Sequence, residues 1–159
     1  EAHQKGWFHA TVHVWLFTKD EQLLLQKRAL TKKVFPGLWD ISVAGHVMAK
    51  EDILEAAKRE ILEEIGIVFQ DHELIKIGTR IHQISHNNGI QDNEFHHVFI
   101  AELTTNFDEL TPQTDEIDEL KLFNLDVLCS THTYDNVLLP EYHEYYTKVY
   151  NSILEYLKK

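Results

Sequence analysis

The sequence is poor in the residues that define several protein classes: among 159 residues it has one cysteine, three prolines and six glycines. A lone Cys129 excludes an internal disulfide and any zinc site built from several thiolates, and it fits a reducing compartment, with the cytoplasm as the default expectation. So little proline and glycine excludes collagen-like and low-complexity chains. No apolar run approaches the ~18 residues of a membrane helix, since even Val12–Phe17 is broken by His13, so no membrane partner is expected. Bases are scarce as well. With 15 Lys and Arg against 26 Asp and Glu, the formal net charge is -11, which argues against a nucleic-acid polymer as partner because phosphate backbones are held by clustered Lys and Arg. No signal-peptide pattern opens the chain, which begins at Glu1 rather than Met.

What is present describes a globular protein. Hydrophobic residues make up 43% and charged residues 26%, and the length suits one domain, residues 1–159, around a single core. Val12, Val14 and Leu16 alternate with other side chains, Lys19-Asp20-Glu21 reads as a turn and Leu23–Gln26 resumes an extended run, so the spacing predicts a hairpin over Trp7–Arg28. Pro36-Gly37 is a turn, and Trp39–Val43 is a short strand ending at Ala44-Gly45. From Asp52 to Ile65 the apolar residues Leu54, Ala57, Ile61 and Ile65 recur at three and four, a helical stripe, with Gly66 at the C-cap position. A second hairpin is expected from Leu74–Ser85 and Glu94–Leu103, joined through an Asn-Gly signal. Thr104–Glu119 reads as a solvated acidic loop leading to a strand at Leu120–Phe123. A terminal helix over about 140–157, starting at Pro140 with Glu141 and Glu144 near its head and Lys158 and Lys159 at its tail, would bury Tyr142, Tyr146, Val149, Ile153 and Leu157. Cys129 has no activating neighbour and reads as a buried small hydrophobe, and Trp7, Phe35 and Trp39 as core or turn packing.

One stretch carries chemistry. Residues 45–67 read GHVMAKEDILEAAKREILEEIGI, and Gly45, Glu51, Arg59, Glu60, Ile61, Glu63, Glu64, Gly66 and Ile67 fill the pattern G-x5-E-x7-R-E-U-x-E-E-x-G-U, where U is aliphatic. Glu60, Glu63 and Glu64 are three and four apart, so a helix places their carboxylates on one face, which we expect opposite the Leu54/Ile61/Ile65 stripe. Three like charges repel, and hard divalent cations such as Mg2+ would relieve that repulsion while binding substrate phosphates. Arg59 can pair with Glu63 or with Glu51, which makes Glu51 structural, and Gly45 would allow a tight strand-to-helix bend.

The pattern is the Nudix box, and the chain resembles the Nudix family over most of its length. The resemblance implies an α/β (α+β) fold, an α/β/α sandwich with a mixed central sheet flanked by helices. It also implies a metal-dependent pyrophosphohydrolase that cleaves a diphosphate bond by attack of a metal-activated water. Glu60 and Glu64 are the expected metal ligands, Glu63 a third ligand or water-orienting group, and by resemblance the Ala44 backbone carbonyl completes the site. Mg2+ is the expected cofactor, with Mn2+ as a substitute, and a small nucleoside diphosphate-linked molecule the expected substrate.

Around the box the chain is most similar to isopentenyl-diphosphate isomerase and related hydrolases, through WLF at 15–17, LLLQKRALTKK at 23–33, FPGLWDISVAGH at 35–46 and NGIQDNE at 88–94. In the isomerase the residue corresponding to Ala44 is the catalytic cysteine, and a methyl group cannot shuttle a proton. Isomerisation is therefore not expected. Hydrolysis of isopentenyl diphosphate and ligand binding without catalysis remain the alternatives. The same resemblance gives Arg28 and Lys32 as diphosphate contacts, Asp92 and Glu94 as acidic metal ligands, and His46 and His9 as metal-binding histidines. Glu94 is a candidate base or cation ligand, and His46 a metal or substrate contact. His96 and His97 are adjacent on a strand and point to opposite faces, so they do not chelate together. The oligomeric state is left open, a homodimer among the options.

Overall fold

The computed structural model describes residues 8–30, 38–85, 89, 91–129, 137–138 and 142–159. Trp7, Lys32, Phe35, the Pro36-Gly37 turn, Pro140, Glu141 and the Asp92 side chain lie outside the described residues.

The first hairpin forms as its alternation requires, with strands β1 (Phe8–Phe17) and β2 (Gln22–Arg28). The next segment is two strands, β3 (Trp39–Asp40) and β4 (Val43–His46), where one was expected. The reason is a change of partner: β3 pairs with β2, whereas β4 pairs with β1 from Val14↔Val43 to Thr11↔His46. Helix α1 (Ile53–Ile65) begins at Asp52, whose side chain accepts from the amides of Leu54 and Glu55. It ends at Gly66 in the left-handed conformation, φ 79°, a backbone state glycine adopts without a Cβ penalty. The second hairpin follows as β5 (Ile75–Ser85) and β6 (Gln91–Glu102), with Gly89 of the Asn-Gly pair at φ 85°. Strand β7 (Ile117–Asn124) starts before the expected Leu120 because Ile117, 3% exposed, belongs to the core. Helix α2 (His143–Leu157) closes the chain, with Tyr146, Val149 and Ile153 buried.

The sheet runs in the order β3-β2-β1-β6-β5, with β4 also on β1 and β7 on β2. It is mixed, since β1 and β6 are parallel over Phe8↔Asn93 to Phe17↔Glu102 while the other pairs are antiparallel. Strand β1 alternates between two cores. Val12, Val14 and Leu16 pack with Ala56, Ala57, Ile61 and Ile65 of α1, while Trp15 and Phe17 pack with Tyr146, Val149 and Ile153 of α2. The core expected to be single is thus divided by the sheet, with a helix on each face. Trp39 packs edge-on against Phe123, with centroids 4.9 Å apart. Among the described residues no helix is long and apolar enough to cross a membrane.

Two local readings change. The acidic loop is not merely solvated: Leu110 is buried, and the amides of Thr111 and Gln113 donate to the carbonyls of Ile65 and Glu64 at 3.0 and 2.8 Å, satisfying acceptors a helix C-terminus leaves open. Cys129 is exposed rather than buried, because it caps the short 3-10 helix Leu125–Leu128, whose own Leu125, Val127 and Leu128 fill the core.

Gly66 and Gly89 provide a matched test. A Cβ at Gly66 would come 1.9 Å from Thr111 Oγ1, whereas one at Gly89 would meet nothing within 4 Å. Gly89→Ala is expected to cost about 1 kcal/mol from backbone strain alone, and Gly66→Ala about 2 kcal/mol or more because the loop must also move. Urea unfolding of both variants measures the difference.

Candidate active site

Glu60 and Glu64 lie one turn apart on α1, and both turn inward. Glu64 is only 7% exposed. Its Oε1 accepts from Gln26 Nε2 at 2.9 Å, and the same nitrogen donates to the Ser42 carbonyl at 3.0 Å. Its Oε2 is buried and accepts no hydrogen bond among the described residues. Burial pushes the Glu64 carboxyl up to about 8; the Gln26 hydrogen bond opposes the rise and the neighbouring Glu60 carboxylate adds to it.

Glu60 rests against β4. A Cβ at Gly45 would lie 2.1 Å from Glu60 Cδ, so any side chain there would displace the carboxylate. Space is the reason for this glycine. It has no positive φ and pairs with Val12 inside the sheet, so the expected tight bend is not at Gly45. The turn comes later, at Lys50, with φ 67°.

The three acids do not form one solvated face opposite the apolar stripe. Glu63 stays outside, its side chain 53% exposed, while Glu60 and Glu64 flank the stripe and enter the helix–sheet boundary. Gln26 makes this possible, because a buried carboxylate needs a hydrogen-bond donor beside it. In sequence Gln26 is the one polar residue at the end of Leu23–Leu25, on the same strand face as Leu24, which packs with α1; that polar intrusion was the available signal.

Arg59 ties the loop to the helix. Its Nε and Nη2 donate to the two oxygens of Glu51 at 2.8 and 3.0 Å, its Nη1 to Glu60 at 2.9 Å and Glu63 at 3.2 Å, and its Nη2 to the His46 carbonyl at 2.9 Å. Glu51 also accepts from the Met48 amide at 3.0 Å. The Arg59 guanidinium holds Glu51 below the usual carboxylate range, and Arg59 is itself raised by Glu51. Both pairings expected of Arg59 are made at once.

A second cluster lies on the opposite face of the sheet, where registers Thr11↔His46 and His9↔Glu94 bring three strands together. Glu94 accepts from His9 Nε2 at 3.0 Å and His96 Nε2 at 2.8 Å, and His46 Nε2 is 3.6 Å away. One ligand atom each from His9, His46 and Glu94 lie within 4.8 Å of one another. Burial alone would raise Glu94, but the imidazoles of His46, His96 and His9 hold it well below the usual carboxylate range. As expected, His97 leaves this cluster and meets Lys76 at 3.0 Å.

Beneath the cluster is a network that the sequence did not indicate. Tyr145 OH shares a hydrogen bond with His13 Nδ1 at 2.7 Å and accepts from Trp15 Nε1 at 3.0 Å. Burial, then the adjacent His96, keep His13 well below the ordinary imidazole range and so neutral. Arg28 donates to Asp40 at 3.3 Å, so its guanidinium is steadied on β2.

The donor sets fit metal ions. The box offers carboxylate oxygens, as hard divalent cations require, one of them with no hydrogen bond among the described residues, and the second cluster offers two imidazoles and a carboxylate. The NUDIX domain model matches residues 7–144. The chain belongs to the Nudix family. Enzymes of that family generally use a divalent metal. The chain is 36% identical over 131 residues to an uncharacterized Nudix hydrolase of Clostridium acetobutylicum, covering 80% of this chain and 63% of that one. It is 36% identical over 125 residues to isopentenyl-diphosphate Delta-isomerase 2 of Photorhabdus laumondii, covering 79% and 67%. The chain spans less than two thirds of the length of the curated Nudix hydrolases it matches first. In fold it is similar to the NUDIX domain of Shewanella oneidensis NrtR, solved with ADP ribose, with TM-score 0.66 and 18% identity over 91% of this chain and 88% of that one.

Metal-free stability should report on Glu64. Its folded pKa is raised from 4.5 to about 8, so its contribution to folding is complete below pH 4.5 and is withdrawn as pH rises through 8. Glu64→Gln removes that slope. In chelator the variant should melt above wild type at about pH 8 and close to it near pH 4, and Mg2+ should raise the melting temperature of wild type more than that of the variant. Parallel melting curves would contradict the assignment.

Proposed function

We propose that this Nudix hydrolase is a Mg2+-dependent pyrophosphohydrolase acting on the diphosphate bond of small nucleoside diphosphate-linked substrates. The observation that carries the reading is the buried Glu64 Oε2, which has no hydrogen-bond donor among the described residues, beside Glu60, a setting in which the ionised carboxylate is unfavourable without a cation. Glu60 and Glu64 hold the metal, with Glu63 at the rim and the Ala44 carbonyl as further ligands, and Mn2+ can substitute. When bound, the metal supplies charge neutralisation on the phosphates and acidifies the attacking water.

The chain's own residues do the positioning. Arg59 holds Glu60 and Glu63 toward one point and anchors them to Glu51 and the β4 exit. Gln26 turns one Glu64 oxygen away, which leaves the other for the metal. Arg28 presents a two-pronged donor to the diphosphate, with Lys32 and His46 as further substrate contacts. Glu94, already accepting from two imidazoles, suits cation holding with His9 and His46 better than proton abstraction. Glu63, exposed at the rim, is the better placed to orient or deprotonate water.

A second reading is hydrolysis of isopentenyl diphosphate. It is favoured by the 36% identity to an isomerase combined with Ala44, which provides no thiol for proton transfer to carbon. Nucleotide sugars, dinucleotides, nucleoside di- and triphosphates and isopentenyl diphosphate, each assayed with Mg2+ and with Mn2+, separate the two. Glu64→Gln is expected to lower kcat at least ~100-fold while the variant stays folded; undiminished turnover would overturn the reading. Gln26→Leu should lower turnover less, about tenfold, and weaken Mn2+ binding measured calorimetrically in the absence of substrate.

A further inference from the structure

The face of the sheet under α2 holds a cavity of about 490 Å3, lined by Ile77, Gly78, Thr79, Arg80, Val98 and the first turns of α2 from Tyr142 to Lys148. That is the size of a small-molecule site. Two of its walls are cationic in a chain of net charge -11. Arg80 is fixed rather than mobile: its guanidinium lies 4.4 Å from the Tyr145 ring centroid and 5.0 Å from that of Tyr142, and Nη1 is 3.1 Å from His96 Nδ1. Lys148 reaches in from α2. Its Nζ lies 2.7 Å from where a Cβ on Gly78 would sit, so the glycine, beside the irregular register at Lys76/Gly78, leaves the room the ammonium occupies. Among the described residues neither base pairs with a carboxylate, although Glu144 also lines the cavity and lowers its net positive charge. Tyr145 forms a rigid wall, its hydroxyl bound to His13 and Trp15. A preorganised guanidinium and an ammonium facing one cavity match the oxygens of a phosphate group, the first as a fork and the second as a point charge.

We propose that this cavity binds a small phosphorylated molecule through Arg80 and Lys148, apart from the metal-binding carboxylates of the Nudix box. The ligand is either a free phosphorylated metabolite or a distal phosphate of the substrate, and the chemistry that recognises it is the same. Phosphate binding at the site is tested in chelator with inorganic phosphate as the probe and no turnover, so it stands apart from the reading of the box; only the assignment to a substrate phosphate rests on that reading.

Titration calorimetry on the intact chain compares wild type with Lys148→Met, Lys148→Glu and Arg28→Met. Lys148 is exposed, so its replacement is not expected to unfold the protein. Phosphate affinity should fall about tenfold in Lys148→Met and below detection in Lys148→Glu, and it should change less than about twofold in Arg28→Met. Gly78→Ala, which crowds the ammonium, should weaken binding as well. Repeating the wild-type titration with the box saturated by Mn2+ and pyrophosphate distinguishes the sources. Additive phosphate binding identifies a separate ligand, and loss of the Lys148-dependent phosphate binding once pyrophosphate is bound identifies a path shared with the substrate. Phosphate affinity unchanged by both Lys148 substitutions, or lost in Arg28→Met alone, would overturn the proposal.

Discussion

A carboxylate buried between a helix and a sheet is the constraint around which this molecule is arranged. Glu64 has one oxygen on the Gln26 amide and one with no hydrogen bond among the described residues, beside a second carboxylate, Glu60. An ionised group in that setting is unfavourable unless a cation completes it. The surrounding residues keep the arrangement from relaxing. Gln26 is held by the Ser42 carbonyl, Gly45 leaves the volume Glu60 occupies, and Arg59 spans Glu51, Glu60, Glu63 and the His46 carbonyl. Fixing these groups in place keeps the carboxylates from dispersing as a solvated acidic patch, as the proposed metal site requires.

Strand β4 separates two donor sets. On the side of α1, Gly45 gives way to Glu60, and on the side of α2, His46 joins His9 and Glu94. Strand alternation puts adjacent residues on opposite faces, so two neighbouring positions serve oxygen-rich and imidazole-rich surroundings. Ala44 lies next to both. The relatives the chain resembles carry the names of hydrolases and of isomerases, so the fold alone does not decide the chemistry.

Much of the architecture was legible because local signals are strong there. The α1 stripe, its Asp52 and Gly66 ends, the two hairpins and the buried face of α2 all follow from periodicity and from turn or cap chemistry, which act within a few residues. The box also identified its own carboxylates and the Arg59 pairings, since residues one turn apart on a helix must be neighbours. The two strands between residues 39 and 46 looked like one, because what divides them is a change of partner strand and not a change of composition.

The remainder depends on contacts between residues distant in the chain. Gln26 meets Glu64, Tyr145 meets His13, and Arg80 meets His96 only after strand order and helix placement are set. Cys129 is outside because three neighbouring apolar side chains already fill the core, and Glu63 parts from Glu64 because only one side of α1 faces the sheet. A sequence records spacing along one dimension and therefore the identity of the chemical groups. Which of them are desolvated, and which acid finds a donor and which does not, is settled where separate strands and helices close on one another.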